Sequence, residues 1–390
     1  MTRIRQRYEK ELVESVIPFW ERHCVDSEFG GYYNFLDRNG SVFDTDKYMW
    51  MQWRIVYMFA TLADTRFAGD KRGQWIDIAS QGFRFLMKHG RDGNGWFYFA
   101  LNREGRPIIA PYNIGSEFFA IMGCAALYKA TGDEQCREAA MHTLESVLGR
   151  LQNPKGQWNK RLPAYPPRLS HEDRMAAVNL GLVLQECMPT PGLDSLVDEA
   201  VEMILNRFWS AEYGLILENI NLDFSLDLKS CDGRLVCPGH GLESAWFILK
   251  YSEMRDRRDL VTKTCEAIQS ILESAWDKEN GGFFYFLDVL GKPPIELAWD
   301  MKLWWVHCEA LVAALTGYAI TGDQNLLEWF MRIDEWTWKH FPDPIHGEWY
   351  GYLNRQGTPT HYLKGGKWKT FFHLPRCLLE CINRLEHIII

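Results

Sequence analysis

Two stretches of the 390-residue chain set a histidine at the head of an apolar run. CPGHGLESAW carries His240 three residues before Glu243, and FFHLPRCLLECI carries His373 three residues before Arg376. Imidazole titrates near neutral pH and can take or give a proton there. Two imidazoles reaching one carbon from different sides can remove a proton from one face and return one to the other. A place at a helix start favours the neutral base, because that end of a helix carries partial positive charge. Arg54, a permanent cation rich in donors, suits the oxygen of an enolate formed in such a step. Glu309, in KLWWVHCEAL, can orient a histidine or carry a proton. Gln52, Asn113, Glu243, Trp304 and Arg376 stand near helix starts as well, where a polar ligand could meet them. His307 reads as a packing residue, and His89, His142 and His171 as structural or solvated. Glu117 reads equally as a cap partner or a ligand.

The elements that must position these groups announce themselves by repetition. GGYYNFLDRNG begins at Gly30, and similar phrases follow: GNGWFYFALNREGRP from Gly93, PKGQWNKRLP from Pro154, EYGLILENINLD from Glu212, NGGFFYFLDVLGKP from Asn280 and HGEWYGYLNRQGTP from His346. Each is a turn of small residues, a few aromatic or aliphatic residues, then a polar turn. The spacing is roughly 60 residues, a repeat somewhat longer than the common solenoid periods. Between phrases lie two helical patterns. KYMWMQWRIVYMFATLAD is apolar nearly all round, and GQWIDIASQGFRFLMKHG has one polar face. The pairing recurs with NIGSEFFAIMGCAALYKAT and DEQCREAAMHTLESVLGRL, and again further along. A helix apolar all round is buried, and one with a polar stripe lies at the surface. TGD at Thr131 and Thr321 joins them, a C-cap glycine followed by an N-cap aspartate.

Twelve alternating helices predict an inner ring of six inside an outer ring of six: an all-α (α/α)6 barrel, one domain over 1–390. Each phrase is then a short hairpin or loop joining an outer helix to the next inner one. All six lie at one end, with the N-termini of the inner helices and their polar residues.

Composition narrows the field. The formal charge is −8 with no basic run, which argues against nucleic acid. The N-terminal MTRIRQRYEKELVESVIPFW is an amphipathic helix without the apolar core of a signal peptide. No run approaches the ~18 apolar residues of a membrane span. The ten cysteines form no CxxC pair and read as reduced, buried thiols of a cytoplasmic protein. Cys231 and Cys237 flank DGRLV without a histidine at zinc-site spacing, so no metal is expected. PKGQWNK and GGKWKT combine glycine with lysine, but neither has the GxxxxGK[ST] form of a phosphate loop. The 17 Trp residues serve a large core first and a sugar site second.

GRLVCPGHGLESAWFIL, KLWWVHCEAL, MWMQWRIVYMFA and FHLPRCLLECI together resemble the N-acylglucosamine 2-epimerase family. That family includes the mammalian renin-binding protein, and cellobiose 2-epimerase is a relative. The resemblance spans the whole chain. It implies interconversion of N-acetylglucosamine and N-acetylmannosamine by ring opening, loss of the C2 proton and reprotonation on the other face. It implies His240 and His373 as the acid/base pair, Arg54 as the active-site arginine, and Glu243 and Glu309 as helix-borne carboxylates. Arg234 and Trp304 fall in its substrate-lining segments. No metal or redox cofactor is implied. ATP is implied as an allosteric activator, with Lys155, Lys160, Lys364 and Lys367 as candidates to hold it, and the family's members are commonly homodimers. One departure separates the branches: RMAAVNLGL has Met175 and Ala176 where cellobiose epimerases and aldose–ketose isomerases carry a further histidine. Three alternatives remain: an epimerase or isomerase of unacylated sugars, an inverting glycosidase using Glu243 and Glu309, and a binding protein.

Overall fold

A helix without a polar face must be enclosed by others. In the computed structural model, which describes residues 1–151, 153–158 and 168–389, six helices, most of them apolar nearly all round, form an inner ring. They are Met49–Ala63, Gly115–Thr131, His171–Cys187, Pro238–Met254, Trp304–Thr321 and His373–Ile389. Successive members pack side by side. Aromatic rings join the last to the first: Phe371 lies 4.8 Å from Phe59, and Phe372 lies 5.9 Å from Tyr57.

The outer ring covers them. Arg72–His89, Glu134–Arg150, Asp194–Met203, Asp259–Ala275 and Gln324–His340 each pack on the inner helix that precedes them. The sixth outer position is filled from the N-terminus, where Thr2–Lys10 packs on the last inner helix. The architecture is the expected all-α (α/α)6 barrel. The TGD links behave as read: Gly132 and Gly322 take φ of 72° and 71°, and Asp133 and Asp323 cap the next helix by accepting from Gln135 N and Asn325 N. The N-terminal helix departs from a regular one. Thr2–Lys10 and Ile17–His23 are joined by a widened π turn over Glu11–Val16. Pro18 lacks the N–H that a regular helix would give to Glu14, and the wider turn absorbs the loss.

The described phrases gather at one end as a collar, but they are not simply hairpins; the third lies partly outside the described residues. The two or three residues leading into an inner helix pair with the following phrase. Lys47–Tyr48 pairs with Ala100–Leu101, Arg168–Ser170 with Asn219–Asn221, Leu235–Val236 with Leu287–Asp288, and Lys302–Leu303 with Tyr352–Leu353. The circle closes where Lys364 N donates to Leu36 O at 2.9 Å and Asn34 Nδ2 donates to Lys369 O at 3.1 Å.

Three copies of one ion triad lock this collar. Asp26 accepts from Lys47 Nζ at 3.0 Å and Arg103 Nε at 3.1 Å. Asp277 accepts from Lys302 at 3.1 Å and Arg355 at 2.9 Å. Asp343 pairs with Lys364 at 3.0 Å and Arg38 at 2.8 Å. In each, the aspartate opens a phrase, the lysine leads into that repeat's inner helix, and the arginine comes from the next phrase. All three lysines are buried, so each depends on its aspartate.

Candidate active site

The collar delivers the heads of the inner helices to one place. His373 opens the sixth inner helix, and its Nδ1 lies 2.7 Å from Glu309 Oε1 on the fifth. In that bond the Nδ1–H donates to the carboxylate, so the ring proton of the neutral imidazole is on Nδ1 and Nε2 is bare. Glu309 is shared: its Oε1 also accepts from Arg376 Nη2 at 2.7 Å, and its Oε2 from the Trp246 indole at 2.7 Å. The same Nη2 bonds Glu243. Burial, with the nearby charges of Arg54 and Arg376, holds His373 well below the ordinary imidazole pKa against the pull of Glu243.

His240 has the opposite setting. It sits in the first turn of the fourth inner helix, with Nδ1 2.9 Å from Glu218 Oε2. Burial opposes its charge, but Cys237 and the Glu218 carboxylate beside it outweigh burial and raise its pKa well above the usual value. Glu218, despite its own burial, falls to about 2 because His240 is next to it. The two histidines flank one ring: Trp305 lies 5.3 Å from His240 and 5.5 Å from His373.

Arg54 lies on the first inner helix among aromatic rings, 4.1 Å from Phe119, 4.6 Å from Phe372 and 4.8 Å from Trp50. Its Nε has no hydrogen-bond partner. Burial draws its pKa down to about 9, which still leaves it protonated at neutral pH. Trp304 stands edge-on to His373 at 6.3 Å, its indole N–H also unpartnered. A buried cation and a buried donor without partners are what an incoming oxygen would satisfy.

Other expected site residues do different work. Gln52 staples the first phrase to its helix, accepting from Tyr32 N at 2.8 Å and donating to Tyr32 O at 2.9 Å, so both ends of its amide are used. Asn113 lies two residues before the second inner helix, which starts at Gly115, and its Oδ1 accepts from Gly115 N at 3.1 Å. Arg234 is held in the collar by Asp288 at 2.8 Å. Lys364 is fully buried in its triad and offers nothing to a phosphate. Lys155 is exposed, and Lys367 is half-buried with Nζ 5.0 Å from the Trp368 ring. Lys160 lies outside the described residues. Glu117 is structural, bonded to Phe97 N and Arg150. His307 packs as expected, with Nε2 accepting from Phe283 N at 3.0 Å.

His171 is structural rather than solvated, with Nε2 3.1 Å from the Ser244 hydroxyl. It is buried, with Nδ1 3.6 Å from Glu218 Oε1. Glu218 itself was missed, as were Trp246 and Trp305. One signal could have found Glu218. The first N–H of an inner helix bonds a collar carbonyl at Phe99, Glu218 or Gly351, and only the fourth phrase puts a charge at that position among these three. Among the described residues, Glu243, Glu309 and His373 offer ligand atoms within 4.8 Å of one another. The Arg376 guanidinium, bonded to both carboxylates, already supplies the positive charge there.

Comparison with known proteins gives the family and the fold. The family model described as N-acylglucosamine 2-epimerase matches residues 30–377. The N-acylglucosamine 2-epimerase of Bos taurus is 36% identical over 391 residues, covering 99% of this chain and 92% of that protein. The structure of cellobiose 2-epimerase from Bacillus thermoamylovorans superposes with a TM-score of 0.84 at 19% identity, covering 98% of this chain and 100% of the other. A GH76 α-mannanase from Bacteroides thetaiotaomicron shares the fold more distantly, with a TM-score of 0.61 at 12% identity and coverage of 98% and 97%. The chain belongs to the N-acylglucosamine 2-epimerase family and is an isomerase of the sugar 2-epimerase class.

Proposed function

We propose that this chain, acting as one unit over 1–390, interconverts N-acetyl-D-glucosamine and N-acetyl-D-mannosamine. In the ring-opened sugar the C1 aldehyde acidifies the C2 hydrogen. His373, neutral and with Nε2 bare, removes that proton. Arg54 faces the developing enolate oxygen. His240, carrying its proton, delivers it to the opposite face of C2. In the reverse direction the roles exchange. The observation that carries this reading is the pair of histidines flanking Trp305 in opposite electrostatic settings. The choice of N-acyl sugar rests on the 36% identity to the bovine N-acylglucosamine 2-epimerase.

The sign of the pH dependence follows. Activity falls on the acid side as His373, its pKa lowered, becomes protonated. It falls on the alkaline side as His240, its pKa raised, loses its proton. The plateau is therefore broad and spans neutrality.

An inverting glycosidase fits less well. Its carboxylates stand ~6.5–9.5 Å apart, whereas the ligand oxygens of Glu243 and Glu309 lie within 4.8 Å. The family likeness also supports ATP as an activator, a homodimer and a cytoplasmic location as parts of the same reading. Lys155 and Lys367 are the candidate lysines whose placement leaves them able to meet phosphate.

The test is proton NMR of N-acetylglucosamine with the protein in D2O, with and without ATP. The expected result is N-acetylmannosamine deuterated at C2, formed faster with ATP. No exchange in either case would reject the substrate assignment.

A further inference from the structure

Both active-site histidines have a carboxylate on Nδ1, but the two carboxylates are not equivalent. Glu309 accepts from His373, Arg376 and Trp246, so its charge is already matched by a guanidinium. Glu218 has no such cation. Its Oε2 accepts from His240, and its Oε1 has no hydrogen-bond partner.

The Ser244 hydroxyl donates to Gly241 O at 3.0 Å, so it receives the Nε2–H of His171 at 3.1 Å. The other ring nitrogen, Nδ1, lies 3.6 Å from Glu218 Oε1. Glu218 cannot turn aside to find another partner. Its own N–H donates to Leu235 O at 3.0 Å, and its carbonyl accepts from His171 N at 3.0 Å, which fixes the backbone between two collar strands. The side chain is 12% exposed. A helix start disfavours an imidazolium, and this carboxylate offsets that bias at His240.

We propose that Glu218 is a positioning residue: it clamps the Nδ1 side of His240, aims Nε2 at the substrate, and keeps the resting proton of the pair on His240. The inference rests on the proton-transfer reading above and extends it to a residue that touches no substrate. The other titratable groups facing His240 are Cys237 in its own cap, His171 through Glu218, Tyr285 of the fifth phrase, and His373 across Trp305.

Glu218→Gln keeps an acceptor for Nδ1–H and removes only the charge, so it separates electrostatics from packing. Two measurements decide the matter: a 15N NMR titration of His240 in histidine-labelled protein, and the pH profile of kcat/KM in both directions. The expected result is that the His240 midpoint falls by about one unit or more. The alkaline limb of kcat/KM should fall with it, while the acid limb set by His373 stays in place and KM changes little. Glu218→Asp, which retains the charge, should return the midpoint most of the way; if the glutamine variant is unstable, Glu218→Ala is titrated in its place, with the same fall expected. An unchanged His240 midpoint, or a rate loss uniform across pH, would overturn the proposal. The titration needs no substrate. If N-acetylglucosamine shows no exchange with the unmodified protein, the substrate assignment falls, while the His240 midpoints still decide the role of Glu218.

Discussion

The collar and the floor of the barrel are built from the same kinds of side chain, yet they obey opposite rules. In the collar the polar residues repeat. Asp26, Asp277 and Asp343 each hold a lysine of their own repeat and an arginine of the next. At the inner helix heads residue types recur but their settings do not: His240 and His373 each have a carboxylate on Nδ1, yet only Glu309 is also bonded by an arginine and a tryptophan. A feature needed at every repeat boundary is structural, because each boundary has the same gap to close. A feature present once answers to something that is not six-fold, and a bound sugar is such a thing. Histidine at a helix head is therefore informative only when its neighbours differ from those of the other repeats.

The sharpest way to break this comparison is to remove one residue from each side. His373→Asn keeps a donor for Glu309 but no base. It should lower kcat by about a thousandfold and leave the thermal midpoint within a few degrees. A large loss of stability would show that His373 belongs with the triads. Asp277→Ala should do the reverse. It strands the buried Lys302 and should lower unfolding free energy by about 3–5 kcal/mol in urea titrations. The kcat of the protein that remains folded should stay within a few-fold. A next, smaller effect is expected from Arg54→Lys. Three aromatic rings surround a planar guanidinium that an ammonium cannot replace. The expected loss is about ten- to a hundredfold in kcat/KM, most of it in kcat, measured by steady-state epimerisation. Unchanged kinetics would remove Arg54 from the enolate.

Much of this was legible in the chain. The apolar character of Trp304–Thr321 and the TGD links gave the ring and its turns, because burial and caps act locally. His240, His373, Glu309 and Arg54 were legible as polar residues at the heads of apolar helices. The handover of strands between phrases was not. Two-residue strands such as Lys302–Leu303 carry no period from which a register can be read. For the same reason Gln52, Asn113, Arg234 and Lys364 looked like ligand groups. Each is turned to a backbone or ion-pair partner that only the closed collar brings near. Glu218 was hidden by the opposite effect, a carboxylate inside the apolar phrase GLILENIN whose meaning depends on His240, distant in sequence and adjacent in space.

His307 offers the finest test, because it is a histidine that sits close to the site yet follows the collar's rule. Phe283 donates its N–H to Nε2, so the ring proton is on Nδ1, where it reaches Leu303 O at 2.8 Å. Burial pulls its pKa down to about 3, so it stays neutral through the working range. The first inner helix solves the same problem with a different residue. Gln52, at the matching place three residues into Met49–Ala63, accepts from Tyr32 N. His307→Gln therefore replaces one staple with the other that the fold already uses. The Gln side chain keeps the acceptor for Phe283 and loses ring contacts with Trp336 and Phe341. The expected cost is about 1 kcal/mol in unfolding free energy. The kcat and both limbs of the pH profile should match the unmodified protein. A pH limb that moves with His307→Gln would place a third histidine in the proton path, and the line drawn between repeated and unrepeated residues would have to be abandoned.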